Sequence, residues 1–189
     1  MKTEIGRTLL ALLIGSFLVQ LTAADDPKPT DKSSKDIKIE LKDFKFKLAN
    51  PDLRDLYAYN EDEQKLCYYT NGAAEAKFKI PEDGDFDLII AASGDSAMKV
   101  FPKFRVVLDD KPDEKGLSKE TSLKSDDMKD YKFNVPLKKG EHKLSIAFTN
   151  DTYKEGEYDS NFYVHAVKFT PHKADEAKKD GAGGKSETK

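Results

Sequence analysis

Short runs in which every second residue is apolar recur along most of this chain, and nowhere does a long amphipathic helix pattern replace them. Ile37, Ile39 and Leu41 alternate with charged residues, and Phe44 and Phe46 resume the pattern after Lys42-Asp43. Ala76 to Ile80 is a short run closed by Pro81. Phe86, Leu88 and Ile90 follow, then Phe104, Val106 and Leu108, then Phe133, Val135 and Leu137. Successive side chains of a strand point to opposite faces, so this spacing describes strands with one face buried. Pro81-Glu82-Asp83-Gly84 is a strong turn signal. Lys138-Lys139-Gly140-Glu141 reads as a hairpin turn into the strand Lys143 to Phe148. Leu53 to Tyr57 fits one helical turn. Seven or eight strands punctuated by turns predict an all-β chain, an antiparallel β-sandwich in one domain over residues 36–171. At 189 residues the chain is long enough for one real core and short for two.

The flanks have a different character. Leu9 to Leu21 is almost wholly apolar, with Lys2 and Arg7 before it and Thr22-Ala23-Ala24 after it. A basic start, an apolar centre and small residues at the end predict a signal peptide over residues 1–24. The apolar run is short for a bilayer span, so no membrane association is expected once it is cleaved. The mature protein is then expected to be secreted, periplasmic or held at the cell surface. Residues 25–35 are charged and proline-bearing, a linker by composition, and residues 172–189 form a charged tail with no large apolar side chain. Cys67 is the only cysteine, so stability has to come from the core rather than from an intrachain disulfide. Charges of both signs are interspersed to a net of -3, which leaves no basic footprint for nucleic acid.

Catalytic constellations do not assemble. Gly94-Asp95-Ser96 resembles a hydrolase nucleophile region, but a chymotrypsin-like order needs a histidine before the serine, and His142, His165 and His172 all follow it. The esterase pattern needs an aspartate three residues before the histidine; those positions hold Lys139, Phe162 and Phe169. The histidines also lack zinc-ligand spacing. Paired carboxylates of glycosidase type are too common here to discriminate, yet the chain has no tryptophan and no aromatic cleft signature. No enzymatic activity is expected.

Leu144, Ile146 and Phe148 form one alternating run, and Phe162, Val164, Val167 and Phe169 a second, looser one. Between them lies a polar loop with Tyr153, Glu155, Gly156, Glu157 and Tyr158, bracketed by Asn150-Asp151 and Asp159-Ser160-Asn161. If the two runs pair as antiparallel strands, two carboxylates and two amides meet at one sheet rim. Clustered oxygens of this kind suit a hard cation such as calcium. The competing reading is that Asn, Asp and Gly are here as turn formers. An EF-hand fits poorly: counting from Asp151, Gly156 stands sixth, but Tyr153 and Phe162 occupy the third and twelfth positions, where ligands belong. Asn150-Asp151-Thr152 also matches an N-glycosylation acceptor, which competes for the same loop.

Several segments in order carry a resemblance: Asn71-Gly72-Ala73, Gly84 to Gly94, Phe101 to Asp110, Tyr131-Lys132-Phe133, Leu137 to His142, Phe148 to Asp151, and Asp159 to Val164. Together they resemble the calcium-dependent, xylan-binding type of carbohydrate-binding module. The family's closing motif, Asn-Asp, a short loop and Asp-Arg-Asn-Leu, carries Ser160 in place of the arginine and Phe162 in place of the leucine. The resemblance implies a jelly roll and non-catalytic binding of a xylan-like polysaccharide. It also implies Ca2+ held by loop oxygens, with neighbouring sugar hydroxyls completing the shell. On that basis Asp151, Asp159 and Asn161 are the expected metal ligands, and Asn150, Tyr153, Glu157 and Tyr158 the expected ligand-binding residues. The alternative is a structural or protein-interaction sandwich of the same fold that has lost sugar binding.

Overall fold

The computed structural model describes residues 36–48, 50–111, 117 and 119–173. The signal, linker and most of the tail expected from composition therefore lie outside the described residues.

Among the described residues thirteen strands follow in order: β1 (Ile37–Ile39), β2 (Lys45–Lys47), β3 (Tyr57–Asn60), β4 (Lys65–Tyr68), β5 (Gly72–Ile80), β6 (Gly84–Asp95) and β7 (Lys103–Leu108). After these come β8 (Thr121–Ser122), β9 (Lys129–Leu137), β10 (Gly140–Phe148), β11 (Tyr153–Lys154), β12 (Tyr158–Asp159) and β13 (Asn161–Pro171). Two 3-10 turns, Leu41–Asp43 and Pro51–Leu56, interrupt the early strands; the second starts with Pro51, and Asn50 caps it by accepting a hydrogen bond from the Asp52 N–H. One sheet runs β3-β4-β13-β6-β9 with β1 alongside the far half of β13. The other runs β2-β5-β10-β7-β8, and β11 and β12 form a separate ribbon. Every named pairing is antiparallel.

The alternation in sequence becomes the two inner faces. Leu66, Leu88, Ile90, Phe162, Val164 and Phe169 come from the first sheet, and Ile80, Phe104, Val106, Leu144, Ile146 and Phe148 from the second, all buried in one cluster. Rings meet across the gap: Phe162 stacks on Phe104 at 5.2 Å between centroids, and Phe169 on Phe78 at 4.7 Å. The looser period of the last strand has a local cause. The register of β13 on β6 shifts between Val164 and Ala166, a β-bulge at His165 that returns Val167 and Phe169 to the core face. The chain is an all-β, antiparallel sandwich.

Two expectations about connectivity need correction. Leu144 to Phe148 and Phe162 to Phe169 are not partners in one hairpin: β10 belongs to the second sheet and β13 to the first, and the loop between them crosses the sandwich. Lys138-Lys139 likewise carries the chain from β9 in the first sheet to β10 in the second, as Pro81 to Asp83 does from β5 to β6. A tight turn fixes a reversal of direction and leaves open which sheet receives the next strand. These repeated crossings give the jelly-roll winding. Asp83 ties two of the crossings together, accepting from the Lys139 N–H at 2.7 Å and from Lys138 Nζ at 3.0 Å. At the chain's other end, His172 donates its N–H to the Asp85 carbonyl, and its Nδ1 lies 2.8 Å from Asp87, so the sandwich's ties extend to a residue that composition assigns to the tail.

Candidate functional site

The crossing from β10 to β13 has its own small fold. Tyr153 pairs with Asp159 and Lys154 with Tyr158, and Gly156 takes φ +71 at the tip, where a side chain would be strained. The Glu157 N–H donates to the Lys154 carbonyl, and the Ser160 N–H reaches back to the Thr152 carbonyl at 3.0 Å. These bonds bring the two ends of the ribbon together, although the strands beyond them diverge into different sheets.

Asp151, Asp159 and Asn161 occupy one neighbourhood. Asn161 Nδ2 lies 3.3 Å from Asp159 Oδ2 and 3.2 Å from Asp95 Oδ2. The Asp151 N–H donates to Asn71 Oδ1 at 2.7 Å, and Tyr57 Oη donates to the Asn71 carbonyl. Burial pushes the Asp151 carboxyl above its usual range, and the charge of Asp159 adds to that push against hydrogen bonds from Thr70 and the Thr152 backbone. Three buried oxygens here, Asp151 Oδ1, Ser160 Oγ and Asn161 Oδ1, have no hydrogen-bond partner within the protein. Asn161 is 8% exposed and Ser160 1%, and each such orphan costs on the order of 1–3 kcal/mol. Unpaired buried oxygens, beside a carboxylate whose ionisation the Asp159 charge disfavours, fit a hard cation, which relieves both penalties. Among the described residues no three His, Cys, Asp or Glu side chains group around a possible metal position. Such a site would therefore be two carboxylates completed by neutral oxygens, a composition calcium accepts.

The other expected residues separate. Asn150 is fully engaged: its Oδ1 accepts from the Lys103 N–H at 2.5 Å, and its Nδ2 donates to the Phe101 carbonyl at 3.1 Å. It pins the end of β10 to the approach of β7. A glycan at Asn150 would sit on the nitrogen that makes the second of these bonds. Tyr153 is 64% exposed, while Glu157 is exposed and ion-paired with Lys154. Tyr158 is half-buried beside Asp159. Those three line the ribbon next to the oxygen cluster and do not join it.

Four contributors came from outside the loop. Asn71 and Tyr57 orient Asp151, while Asp95 and Tyr163 flank Asn161, with Tyr163 Oη donating to Asp95 Oδ2 at 2.7 Å. Gly94 lets this end close: a Cβ there would lie 2.5 Å from the Asn161 carbonyl oxygen and 2.7 Å from Pro102 Cγ. Asn71, Gly94 and Asp95 stand inside recognisable short motifs, but their partners lie 66 to 80 residues away and meet them only through strand register.

The histidines stay outside this neighbourhood. Ser93 Oγ lies 2.7 Å from His165 Nε2 on the outer face of the first sheet, and His142 bridges Asp109 and the Lys138 carbonyl. Cys67 is buried.

Comparison with known proteins gives the following. The model of the CBM60 family, described as Ca-dependent, xylan-binding carbohydrate-binding modules, matches residues 87–182. No curated protein matches the chain. Among solved structures, the CBM36-1 domain of a multidomain xylanase from the hindgut metagenome of Trinervitermes trinervoides is similar at a TM-score of 0.52 and 8% identity, covering 74% of this chain and all of that one. The mannan-binding module of Man5C is similar at 0.49 and 12%, covering 71% and 97%. A Podospora anserina GH26-CBM35 β-(1,4)-mannanase is similar at 0.48 and 14%; the match covers 74% of this chain and 28% of the mannanase.

Proposed function

This chain belongs to the Ca-dependent, xylan-binding carbohydrate-binding module family, a non-catalytic class, and from that premise we propose that it binds a xylan-like polysaccharide through a calcium ion at the β11–β12 crossing. The observation that carries the reading is the trio of buried, unpartnered oxygens, Asp151 Oδ1, Ser160 Oγ and Asn161 Oδ1, beside the carboxylate of Asp159. Asp151 and Asp159 supply the charge, and Asn161 supplies a neutral oxygen already stripped of water. Ca2+ held there would offer remaining coordination positions to a pair of vicinal sugar hydroxyls.

The protein's own residues do the rest. The Asn71 amide holds the Asp151 backbone, and the Ser160–Thr152 hydrogen bond holds the two halves of the loop at fixed separation. Preorganisation matters because oxygens already in place lose little entropy on binding. Tyr153, exposed on the ribbon beside this cluster, is the side chain best placed to lie against a sugar ring. The signal peptide expected over residues 1–24 would bring the chain to a ligand found outside the cell.

Affinity electrophoresis in gels cast with xylan, galactan or no polysaccharide tests the proposal. Xylan is expected to retard the wild-type protein with calcium present, and Asp151→Asn and Asp159→Asn to migrate as in the blank gel. Equal retardation of both variants would overturn the assignment. Retardation by galactan alone would overturn the xylan-like ligand.

A further inference from the structure

Asn161 is useful to a cation only if its oxygen, and not its nitrogen, faces the site. The carboxamide group could occupy the same volume in either orientation. Its nitrogen stands between two carboxylates, 3.2 Å from Asp95 Oδ2 and 3.3 Å from Asp159 Oδ2. The flipped group would set an oxygen against both. One of those carboxylates, Asp159, belongs to the loop; the other does not.

Asp95 ends β6 directly opposite Asn161 in the register with β13, and Tyr163, two residues along the same face of β13, donates its hydroxyl to the same Asp95 oxygen at 2.7 Å. Asp95 Oδ2 is therefore held from two sides, by an amide and a phenol. The ring is fixed in turn, with Lys65 Nζ 4.3 Å from its centroid and Tyr69 edge-on at 6.3 Å.

We propose that Asp95, clamped by Tyr163, is a positioning residue that holds the Asn161 carboxamide with its Oδ1 turned into the cation site. Asp95 acts through Asn161 in this reading, its Oδ2 being taken up by the Asn161 amide and the Tyr163 hydroxyl. Its carboxylate works one bond removed, as groups behind metal ligands do. The inference rests on the cation-binding reading above and adds to it a residue 56 positions before the loop, on a different strand.

Terbium(III), a luminescent stand-in for calcium, gives the test, because its lifetimes in H2O and D2O count the waters on the bound ion. Asp95→Ala is expected to carry one more water than wild type, since Asn161 Oδ1 is free to turn away, and to bind calcium about 10- to 100-fold more weakly by titration calorimetry. Asp95→Asn keeps an acceptor oxygen and is expected to restore the wild-type water count. Tyr163→Phe, which removes one oxygen atom, is expected to weaken calcium binding in the same direction by less, and it serves should Asp95→Ala not fold. Wild-type hydration and calcium affinity in Asp95→Ala, or in Tyr163→Phe where Asp95→Ala does not fold, would overturn the positioning role while leaving the cation site standing. A wild-type protein that takes up neither ion would overturn both.

Discussion

Gly94 and Asn161 show how closely single residues bind the site to the fold. An alanine at position 94 would meet the Asn161 carbonyl and Pro102 well inside contact distance, with Leu123 Cδ1 at 3.0 Å on the third side. Two of these neighbours are backbone and ring, which cannot swing away. Gly94→Ala is expected to cost about 1–3 kcal/mol in urea unfolding, and to weaken calcium uptake because β13 shifts where Asn161 starts. A different residue sets the response to pH. Burial alone would lower the His142 pKa, but the Lys138 carbonyl and the Asp109 carboxylate outweigh it and raise the value above 6.5. Burial likewise opposes the ionised Asp109, and the Lys143 N–H and His142 outweigh it, lowering its pKa below 3.8. The histidine's contribution is complete below its unfolded pKa and lost as pH rises through the folded one; the aspartate's is complete above its unfolded pKa and lost as pH falls through the folded one. The pair is thus at full strength between those ordinary values. Melting temperature measured from pH 5 to 8.5 is expected to decline in the wild type across this step, and to decline less in His142→Gln.

Phe162 is the second residue of the last strand, next to Asn161, and is the point where the elements meet. Its ring lies against Tyr68 of β4 at 5.4 Å, Phe104 of β7 at 5.2 Å and Phe148 of β10 at 5.9 Å, so one side chain joins the two sheets directly beneath the site. It is fully buried. Phe162→Ala is expected to cost about 3–5 kcal/mol in urea unfolding, more than any change on the β11–β12 ribbon. Alternation alone identified which residues of each strand face inward, because that property is local to the strand. Pairing is not local. The turn at Lys138–Glu141 reads in sequence as a hairpin, and it is a crossing between sheets, as the turn signal at Pro81–Gly84 is also. The same limit applied to the site. Asp151, Asp159 and Asn161 were legible as the brackets of one loop, whereas Asp95 joins Asn161 only through the β6–β13 register.

At the scale of the whole molecule, a sandwich whose sheets are crossed by tight turns can hold a charged, partly desolvated loop at its rim without a disulfide. The core supplies the rigidity, and the rim keeps the cost of three unpartnered oxygens. A cation that binds the folded chain and not the unfolded one returns part of that cost, about 2.7 kcal/mol at a hundredfold excess over its dissociation constant. Differential scanning calorimetry is expected to show a higher melting temperature in calcium than in chelator, and no such rise for Asp151→Asn. Among the described residues no helix is long and apolar enough to cross a membrane. The family assignment accounts for the sandwich and the absence of catalysis; the oxygen cluster carries the rest.

Titration calorimetry of a xylo-oligosaccharide into the same protein sample, first with calcium, then after chelation, then with calcium restored, bears on that cluster most directly. The expected record is binding heat that is present, lost and regained. Heat that persists unchanged in chelator would contradict a cation at Asp151, Asp159 and Asn161 as the carrier of sugar recognition.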